Sequence, residues 1–190
     1  AEHLTWSLNA LMNSFLGTTG QRCTNTRRLF VHQSLYDNAV KQLETIIKTF
    51  MAGVVKGGAM DAENAQGYNA LVDEDAFNRF ESAKKKAVEE GGKILLGHRI
   101  LAKEFPKAFY VEPALALLSK QTAIMFEETF APILFIVPFA NFEEAIRLVN
   151  EPANAGLVNA IYTQNQKEAD QFAYANRAGH SLINSAKGTG

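Results

Sequence analysis

Apolar residues recur at every third or fourth position in five stretches of the chain, with polar residues between them. This spacing puts the apolar side chains on one face of a helix, so it predicts amphipathic α-helices. The predicted helices cover residues 3–16, 34–50, 73–90, 141–150 and 166–176. Ser34 and Asn141 belong to the residue types that cap helix N-termini, and Asn141 with Glu144 forms an Asn-x-x-Glu start signal.

The helix predicted over residues 73–90 shows the clearest pattern, and Gly91 and Gly92 follow it as a stop signal. Its inward face is predicted to carry five apolar residues: Phe77, Phe80, Ala83, Ala87 and Val88. The preceding residues 51–71 contain several glycines and are predicted to form a long loop.

Shorter segments rich in β-branched and aromatic residues alternate with the helices and predict strands. They cover residues 29–31, 93–96, 109–111, 133–137, 160–162 and 181–183. Residues 133–137 (Ile-Leu-Phe-Ile-Val) form an unbroken apolar run, which is typical of a strand buried on both faces. This alternation favours an α/β fold with a mainly parallel sheet and flanking helices, and a single domain over residues 1–190 is the simplest organisation.

Composition and charge exclude several classes of function. The chain has 19 basic and 20 acidic residues, a net charge of −1 and a pI near 6.5. It therefore lacks the excess of positive charge that is typical of nucleic-acid-binding proteins. The longest apolar run, residues 133–140, is too short to span a bilayer. One cysteine cannot form an internal disulfide and no signal peptide is visible, which favours a cytoplasmic protein. The histidines lack the spacing of metal ligands, so no metal is predicted: His3, His32, His98 and His180.

The single cysteine, Cys23, is the main candidate for chemistry. It lies in a turn between an apolar helix and a short strand, with Gly20 allowing a sharp bend. The cationic Arg22 beside it favours the thiolate, which is the nucleophilic form of cysteine. The residues alone also allow the simpler interpretation that Cys23 is a small packed hydrophobe.

Two sequence blocks carry a family resemblance. Residues 20–24 (Gly-Gln-Arg-Cys-Thr), followed by 27–31 (Arg-Arg-Leu-Phe-Val), resemble the cysteine segment of the aldehyde dehydrogenase superfamily. Residues 127–132 (Glu-Glu-Thr-Phe-Ala-Pro) resemble its Glu-Glu-x-Phe-Gly-Pro motif, with Ala131 in place of the commoner glycine. Two blocks in the right order are a stronger signal than either alone, and the similarity runs across most of the chain.

The resemblance implies a reaction and assigns roles to residues. Cys23 would add to an aldehyde as a thiohemiacetal, hydride would pass to NAD or NADP, and water would hydrolyse the resulting thioester. The backbone N–H of Cys23 would stabilise the oxyanion. Glu128 and Phe130 would bind the cofactor, with Glu128 accepting hydrogen bonds from the ribose next to the nicotinamide.

The resemblance also implies that residues 1–190 are an incomplete catalytic domain. In the family, the dinucleotide-binding domain and the general-base Glu precede the cysteine, whereas 22 residues precede Cys23 here and no Gly-x-Gly-x-x-Gly loop occurs. We therefore expect this chain alone to be inactive and the full-length protein to be a homo-oligomer. The alternative is a truncated orphan domain with a structural or thiol-binding role. A cysteine hydrolase is less favoured because no histidine is near Cys23 in sequence.

The residues around Cys23 resemble those of α-aminoadipate semialdehyde dehydrogenases. Residues 177–179 (Arg-Ala-Gly), with Thr189-Gly190 after them, resemble succinylglutamate- and glutamate-semialdehyde (pyrroline-5-carboxylate type) dehydrogenases. By these resemblances Arg22, Thr24, Thr189 and Gly190 would bind the substrate. Guanidinium grips carboxylate in a bidentate fashion and loop N–H groups complete an anion site, so the expected substrate is a small aldehyde with a remote carboxylate. The alternative is that Arg22 only stabilises the Cys23 thiolate and does not bind the substrate.

Overall fold

The computed structural model describes residues 2–57, 68–152 and 156–188. The helices are α1 (Glu2–Leu16), α2 (Tyr36–Gly57), α3 (Glu74–Glu89), α4 (Phe142–Val149) and α5 (Gln166–Ala175). The strands are β1 (Arg28–His32), β2 (Lys93–Leu96), β3 (Ala114–Leu117), β4 (Ile133–Phe139), β5 (Val158–Ile161) and β6 (His180–Ile183). Each of the five predicted helices is therefore present, with shifted ends.

The main sheet has the strand order β1-β4-β3-β2. β4 is parallel to both β1 and β3, and β2 adds an antiparallel edge, which confirms the mainly parallel α/β sheet. β5 and β6 form a separate parallel pair. The prediction of a buried central strand is also confirmed, because Leu134, Phe135 and Ile136 of β4 are fully buried.

Alternate residues of β4 supply two different cores, as the period of two in a strand requires. Leu134 and Ile136 pack with apolar residues of α1 and α2 on one face. Ile133, Phe135 and Val137 pack with α3 on the other face. Helices on both faces explain why the strand has no polar positions.

Side-chain caps fix the starts of two helices, and the one at Asn141 was predicted from the sequence. Asp73 accepts a hydrogen bond from the backbone N–H of Ala76 (2.7 Å) at the start of α3. Asn141 accepts one from the N–H of Glu144 (3.0 Å) at the start of α4. The Glu144 carboxylate in turn accepts from the N–H of Ala140 (2.8 Å), so two backbone donors left free by the helix are satisfied together.

Other predictions of local structure were wrong. Ser34 lies inside a 3₁₀ turn (Gln33–Leu35), and α2 starts after it at Tyr36. That helix runs on to Gly57 through the first part of the predicted loop, whose residues 58–67 lie outside the described ranges.

Two further errors concern a strand and a helix face. Residues 109–111 make only isolated bridges, and the strand forms at Ala114–Leu117. Val88 is 54% exposed, so it lies on the outer face of α3.

Tyr68 gives a prediction about pH. Its ring is fully buried and its hydroxyl donates to the carbonyl of Val111 (2.6 Å). Burial, with the Glu112 charge adding to it, raises the pKa of Tyr68 well above its usual value. Above pH 10 the unfolded chain therefore loses this proton before the folded chain does, and the free energy of unfolding falls by up to about 1.4 kcal/mol per pH unit for this one group.

The Tyr68→Phe variant should show a shallower loss of stability between pH 10 and 11 than the wild type in urea unfolding. Tyr174→Phe is the matched control, because the ring of Tyr174 is 94% exposed. Equal slopes for wild type and Tyr68→Phe would contradict the assignment.

Candidate active site

The two sequence blocks meet because of the way their strands pair. The loop with Cys23 precedes β1, and residues 127–132 precede β4. β1 and β4 are parallel neighbours, with Arg28 opposite Phe135. The loops that enter parallel neighbours lie at the same edge of the sheet, so segments far apart in sequence come together there.

Gly20 packs directly against the backbone of the second block. A Cβ atom built on Gly20 would lie 2.5 Å from the carbonyl carbon of Ala131 and 2.7 Å from the nitrogen of Pro132. Gly20 also has φ = +69°, a left-handed conformation that favours glycine. The lack of room for a Cβ atom and the left-handed backbone conformation both require glycine at this position.

Asn25 ties the cysteine loop to the C-terminal end of α1. Its side-chain amide donates to the carbonyls of Ser14 (2.6 Å), Phe15 (3.3 Å) and Gly17 (3.1 Å). Ser14 and Phe15 belong to the last turn of α1, where intrahelical donors run out, and Gly17 follows the helix directly. The N–H of Thr26 adds a hydrogen bond to the Ser14 hydroxyl (3.1 Å). Sequence reasoning missed Asn25, because three carbonyl partners that converge on one amide leave no pattern in the sequence.

The other side of the loop is held to residues 69–72. The Thr19 hydroxyl donates to the carbonyl of Asn69 and accepts from its N–H, both at 2.7 Å. The Gln21 side chain accepts from the N–H of Val72 (2.9 Å). Thr18 and Thr19 have φ of 52° and 57°, so the chain makes a compact left-handed bend before Cys23.

Cys23 is exposed and lines a cleft of about 950 Å³. The same cleft is lined by four more of the residues proposed from the sequence: Arg22, Thr24, Glu128 and Phe130. Thr189 and Gly190 lie outside the described residues. Nearby Gly188 is buried against α1, where a Cβ would lie 2.5 Å from the Cβ of Ser14.

The Arg22 guanidinium lies over Gly17. A Cβ on Gly17 would come within 2.5 Å of the Arg22 Nη2 atom. The Arg22 Nε also donates to the Asn25 side chain (3.3 Å). Arg22 is partly buried and remains on the wall of the cleft.

Glu127 and Glu128, the acidic pair before Phe130, lie in different surroundings. Glu127 accepts a hydrogen bond from Lys86 (2.8 Å) on the surface, and this contact raises the pKa of Lys86. Glu128 is exposed and lines the cleft, as does Arg27. Burial lowers the pKa of the Arg27 guanidinium, and the negative charge of Glu128 opposes that shift.

Phe130 is an aromatic ring on the cleft wall with 40% of its surface exposed. It has φ = +55°, an uncommon conformation for a bulky residue. The left-handed residue in this motif is thus Phe130, whereas Ala131 is buried with a negative φ. Alanine therefore introduces no backbone strain at this position, where the family has glycine.

Arg28 has a structural role that the sequence did not indicate. Its guanidinium donates to Gln121 (2.8 Å), to the carbonyl of Val149 (3.3 Å) and to the carbonyl of Glu151. It therefore caps the C-terminal end of α4, where a cation is favoured. Burial, followed by the charge of Arg27, lowers the pKa of Arg28 to about 10, and Glu151 opposes the shift.

In the described ranges, no group of three or more His, Cys, Asp or Glu side chains could hold a metal ion. Within the same ranges, no helix combines the length and the apolar character that crossing a bilayer requires.

The described residues thus form an α/β domain with a cleft that an exposed cysteine, a carboxylate and an aromatic ring line together: Cys23, Glu128 and Phe130. The sequence profile of the aldehyde dehydrogenase family matches residues 3–189. The chain belongs to this family.

Curated relatives share about a third of their aligned residues with the chain. Aldehyde dehydrogenase family 7 member A1 of Pisum sativum is 32% identical over 161 residues, 85% of this chain and 30% of that protein. Alpha-aminoadipic semialdehyde dehydrogenase of Bos taurus is 35% identical over 150 residues, 78% of this chain and 26% of that protein. The chain thus spans about 30% of the length of such relatives.

Solved structures show the same fold. Lactaldehyde dehydrogenase from Escherichia coli superposes with a TM-score of 0.80 at 30% identity, covering 95% of this chain and 36% of that one. An indole-3-acetaldehyde dehydrogenase in complex with NAD+ superposes with a TM-score of 0.82 at 27% identity, covering 96% of this chain and 35% of that one.

The contact at Gly20 gives a testable prediction. Gly20→Ala should lower the free energy of unfolding by about 2–5 kcal/mol, the sum of about 1–2 for a left-handed backbone and about 1–3 for overpacking. Gly53→Ala is the matched control, because no atom lies within 4 Å of its added Cβ on α2. It should be neutral or stabilise by up to about 1 kcal/mol. Urea unfolding distinguishes the two, and equal midpoints would contradict the packing argument.

Proposed function

We propose that the chain is part of the catalytic region of an NAD(P)-dependent aldehyde dehydrogenase, with Cys23 as the nucleophile. One observation carries the proposal: the cysteine loop and the Glu-Glu-Thr-Phe-Ala-Pro segment are packed together at Gly20 and line one cleft. Membership of the family supports this assignment over a purely structural role.

Cys23 suits the nucleophilic step by its position. Its side chain is exposed to the cleft, while hydrogen bonds on both sides of the loop fix its backbone. The thiolate would attack the aldehyde carbon, and the oxygen of the adduct would take up the negative charge. The Cys23 backbone N–H is the proposed donor to that oxygen, and a rigid loop lets it act without reorganisation. Thr24 lines the cleft beside Cys23 and is proposed to contact the substrate.

Glu128 and Phe130 are the proposed cofactor residues. An exposed carboxylate can accept hydrogen bonds from ribose hydroxyls, and a half-exposed ring can pack against a flat heterocycle, so both fit a nicotinamide nucleotide. When bound, NAD(P)+ supplies the acceptor for the substrate's hydride, and the Cys23 adduct becomes a thioester. The indole-3-acetaldehyde dehydrogenase structure is a complex with NAD+.

The proposed substrate is an amino-acid semialdehyde with a remote carboxylate. Arg22 lies on the cleft wall next to Cys23, and contacts with Gly17 and Asn25 hold its guanidinium in place. A guanidinium fixed in this way loses little entropy when it binds a carboxylate. The bovine relative is named for a semialdehyde of this kind, and Thr189 and Gly190 are proposed as the second anchor.

The substrate proposal is tested by Arg22→Ala in the full-length protein. The variant should raise KM for α-aminoadipic semialdehyde far more than for a neutral aliphatic aldehyde, with a loss of about 2–3 kcal/mol in kcat/KM for the charged substrate. Arg79→Ala, on the exposed face of α3, is the control and should change neither. An equal loss of kcat/KM for both aldehydes would show that Arg22 acts on the cysteine and not on the substrate carboxylate.

We also infer that residues 1–190 by themselves do not turn over aldehyde with NAD+. The only acid before Cys23 is Glu2, so the family's general base has no counterpart among those residues. The purified chain should still react with iodoacetamide at Cys23, its single cysteine, as intact mass would show. Steady NADH production by this chain would contradict the inference.

A further inference from the structure

Ser14 is a polar residue in an apolar part of the molecule. It lies in the last turn of α1, between Leu11 and Phe15, which both pack into the core. Ser14 itself is completely buried. A buried hydroxyl group destabilises a protein unless hydrogen bonds replace those that it made with water. The hydrogen bonds of Ser14 therefore indicate its role.

The three residues that follow Cys23 all form hydrogen bonds with Ser14. The Ser14 hydroxyl donates to the carbonyl of Thr24 (3.4 Å), and it accepts from the N–H (3.1 Å) and the hydroxyl (2.9 Å) of Thr26. The Ser14 carbonyl accepts from the side-chain amide of Asn25 (2.6 Å). A single buried residue thus fixes the chain where it leaves Cys23.

Cys23 lies in the turn that these contacts hold. The backbone N–H of Asn25 donates to the carbonyl of Arg22 (3.1 Å), so residues 22–25 form a four-residue turn with Cys23 at its second position. Thr24 and Asn25 complete this turn, and both are bound to Ser14. The directions of the Cys23 side chain and of its backbone N–H therefore depend on the position of Ser14.

Packing against the C-terminal residues limits the movement of Ser14. A Cβ atom built on Gly188 would lie 2.5 Å from the Cβ of Ser14 and 3.0 Å from the carbonyl oxygen of Ala10. The side-chain amide of Asn13 also donates to the carbonyl of Ala186 (3.4 Å). The last turn of α1 is therefore held by the C-terminal residues and by the cysteine turn together.

We propose that Ser14 is a positioning residue for the reaction of Cys23. The inference rests on the proposed function, in which the Cys23 Sγ bonds to the aldehyde carbon and the Cys23 N–H stabilises the resulting oxyanion. Both atoms belong to one residue, so a rotation of the turn displaces both from the aldehyde. A displacement of about 1 Å can slow a reaction about 100-fold. Because Ser14 is completely buried, it acts through the turn and not by contact with the substrate.

Ser14→Ala in the full-length protein tests the proposal. The enzyme is mixed with α-aminoadipic semialdehyde and NAD+ and quenched in acid, and the acyl group on the Cys23 peptide is followed by mass spectrometry. The maximal rate of acylation should fall at least about tenfold. The semialdehyde concentration that gives half of this rate should change by less than about threefold, because the variant leaves substrate binding intact.

Alkylation of Cys23 by iodoacetamide separates position from thiol reactivity. This reaction needs the thiolate but no oxyanion donor, so its rate constant in Ser14→Ala should stay within about threefold of the wild type. Equal losses in alkylation and acylation would overturn the proposal, because Ser14 would then control the thiol itself. An unchanged rate of acylation would overturn it as well.

Thr26 supplies variants that decide the question even if Ser14→Ala fails to fold. Thr26→Val removes the hydroxyl bond to Ser14 with little change in volume and should slow acylation at least about threefold, whereas Thr26→Ser keeps the hydroxyl and the rate. Thr45→Val is the matched control, because the Thr45 hydroxyl bonds to the carbonyl of Lys41 (2.9 Å) within α2. Equal rates in Thr26→Val and Thr45→Val would overturn the proposal.

The wild type decides the proposed function separately. An acyl group on its Cys23 supports that function, whatever the variants of Ser14 and Thr26 do. If the wild type forms no such group, the proposed function and this inference both fail. If it does and the variants acylate at the wild-type rate, only the role of Ser14 is wrong.

Discussion

The close packing of Gly20 on the Ala131–Pro132 peptide is the contact on which the candidate site depends. It fixes the distance between the loop that holds Cys23 and the loop that holds Glu128 and Phe130. Neither loop has regular structure along its whole length. Their relative position is therefore set by this contact and by the parallel pairing of β1 with β4. Any side chain at residue 20 would push one loop away from the other. The same contact therefore stabilises the fold and positions the residues of the site.

The site lies where the strands begin. Ligands of open parallel sheets usually bind beyond the carboxyl ends of the strands. Here both chemistry-bearing segments precede their strands, so the cleft opens at the amino ends of β1 and β4. Other polar contacts then hold the surrounding backbone: Asn25 closes the last turn of α1, and Arg28 closes the last turn of α4. A partly buried amide and a partly buried guanidinium, both on the wall of the cleft, thus satisfy carbonyls at these helix ends.

Local patterns in the sequence predicted much of this structure, and long-range contacts account for what was missed. The Asn141-x-x-Glu144 cap and the apolar run of β4 are each encoded within a few consecutive residues, and the structure has both. The strand Ala114–Leu117 was missed because alanine and leucine carry no β-strand preference, and its pairing with β4 decides the outcome. The left-handed turn at Phe130 and the placement of Arg22 over Gly17 depend on partners that spacing cannot reveal.

Cys23 is the residue proposed to form the covalent bond to the substrate. The most direct measurement mixes the full-length protein with α-aminoadipic semialdehyde and NAD+, quenches in acid within milliseconds, and maps the modified peptide by mass spectrometry. We expect an acyl group on the peptide that contains Cys23, and none on that peptide in the Cys23→Ala variant. Product formation with Cys23 unmodified at every quench time, or at an undiminished rate in Cys23→Ala, would contradict it.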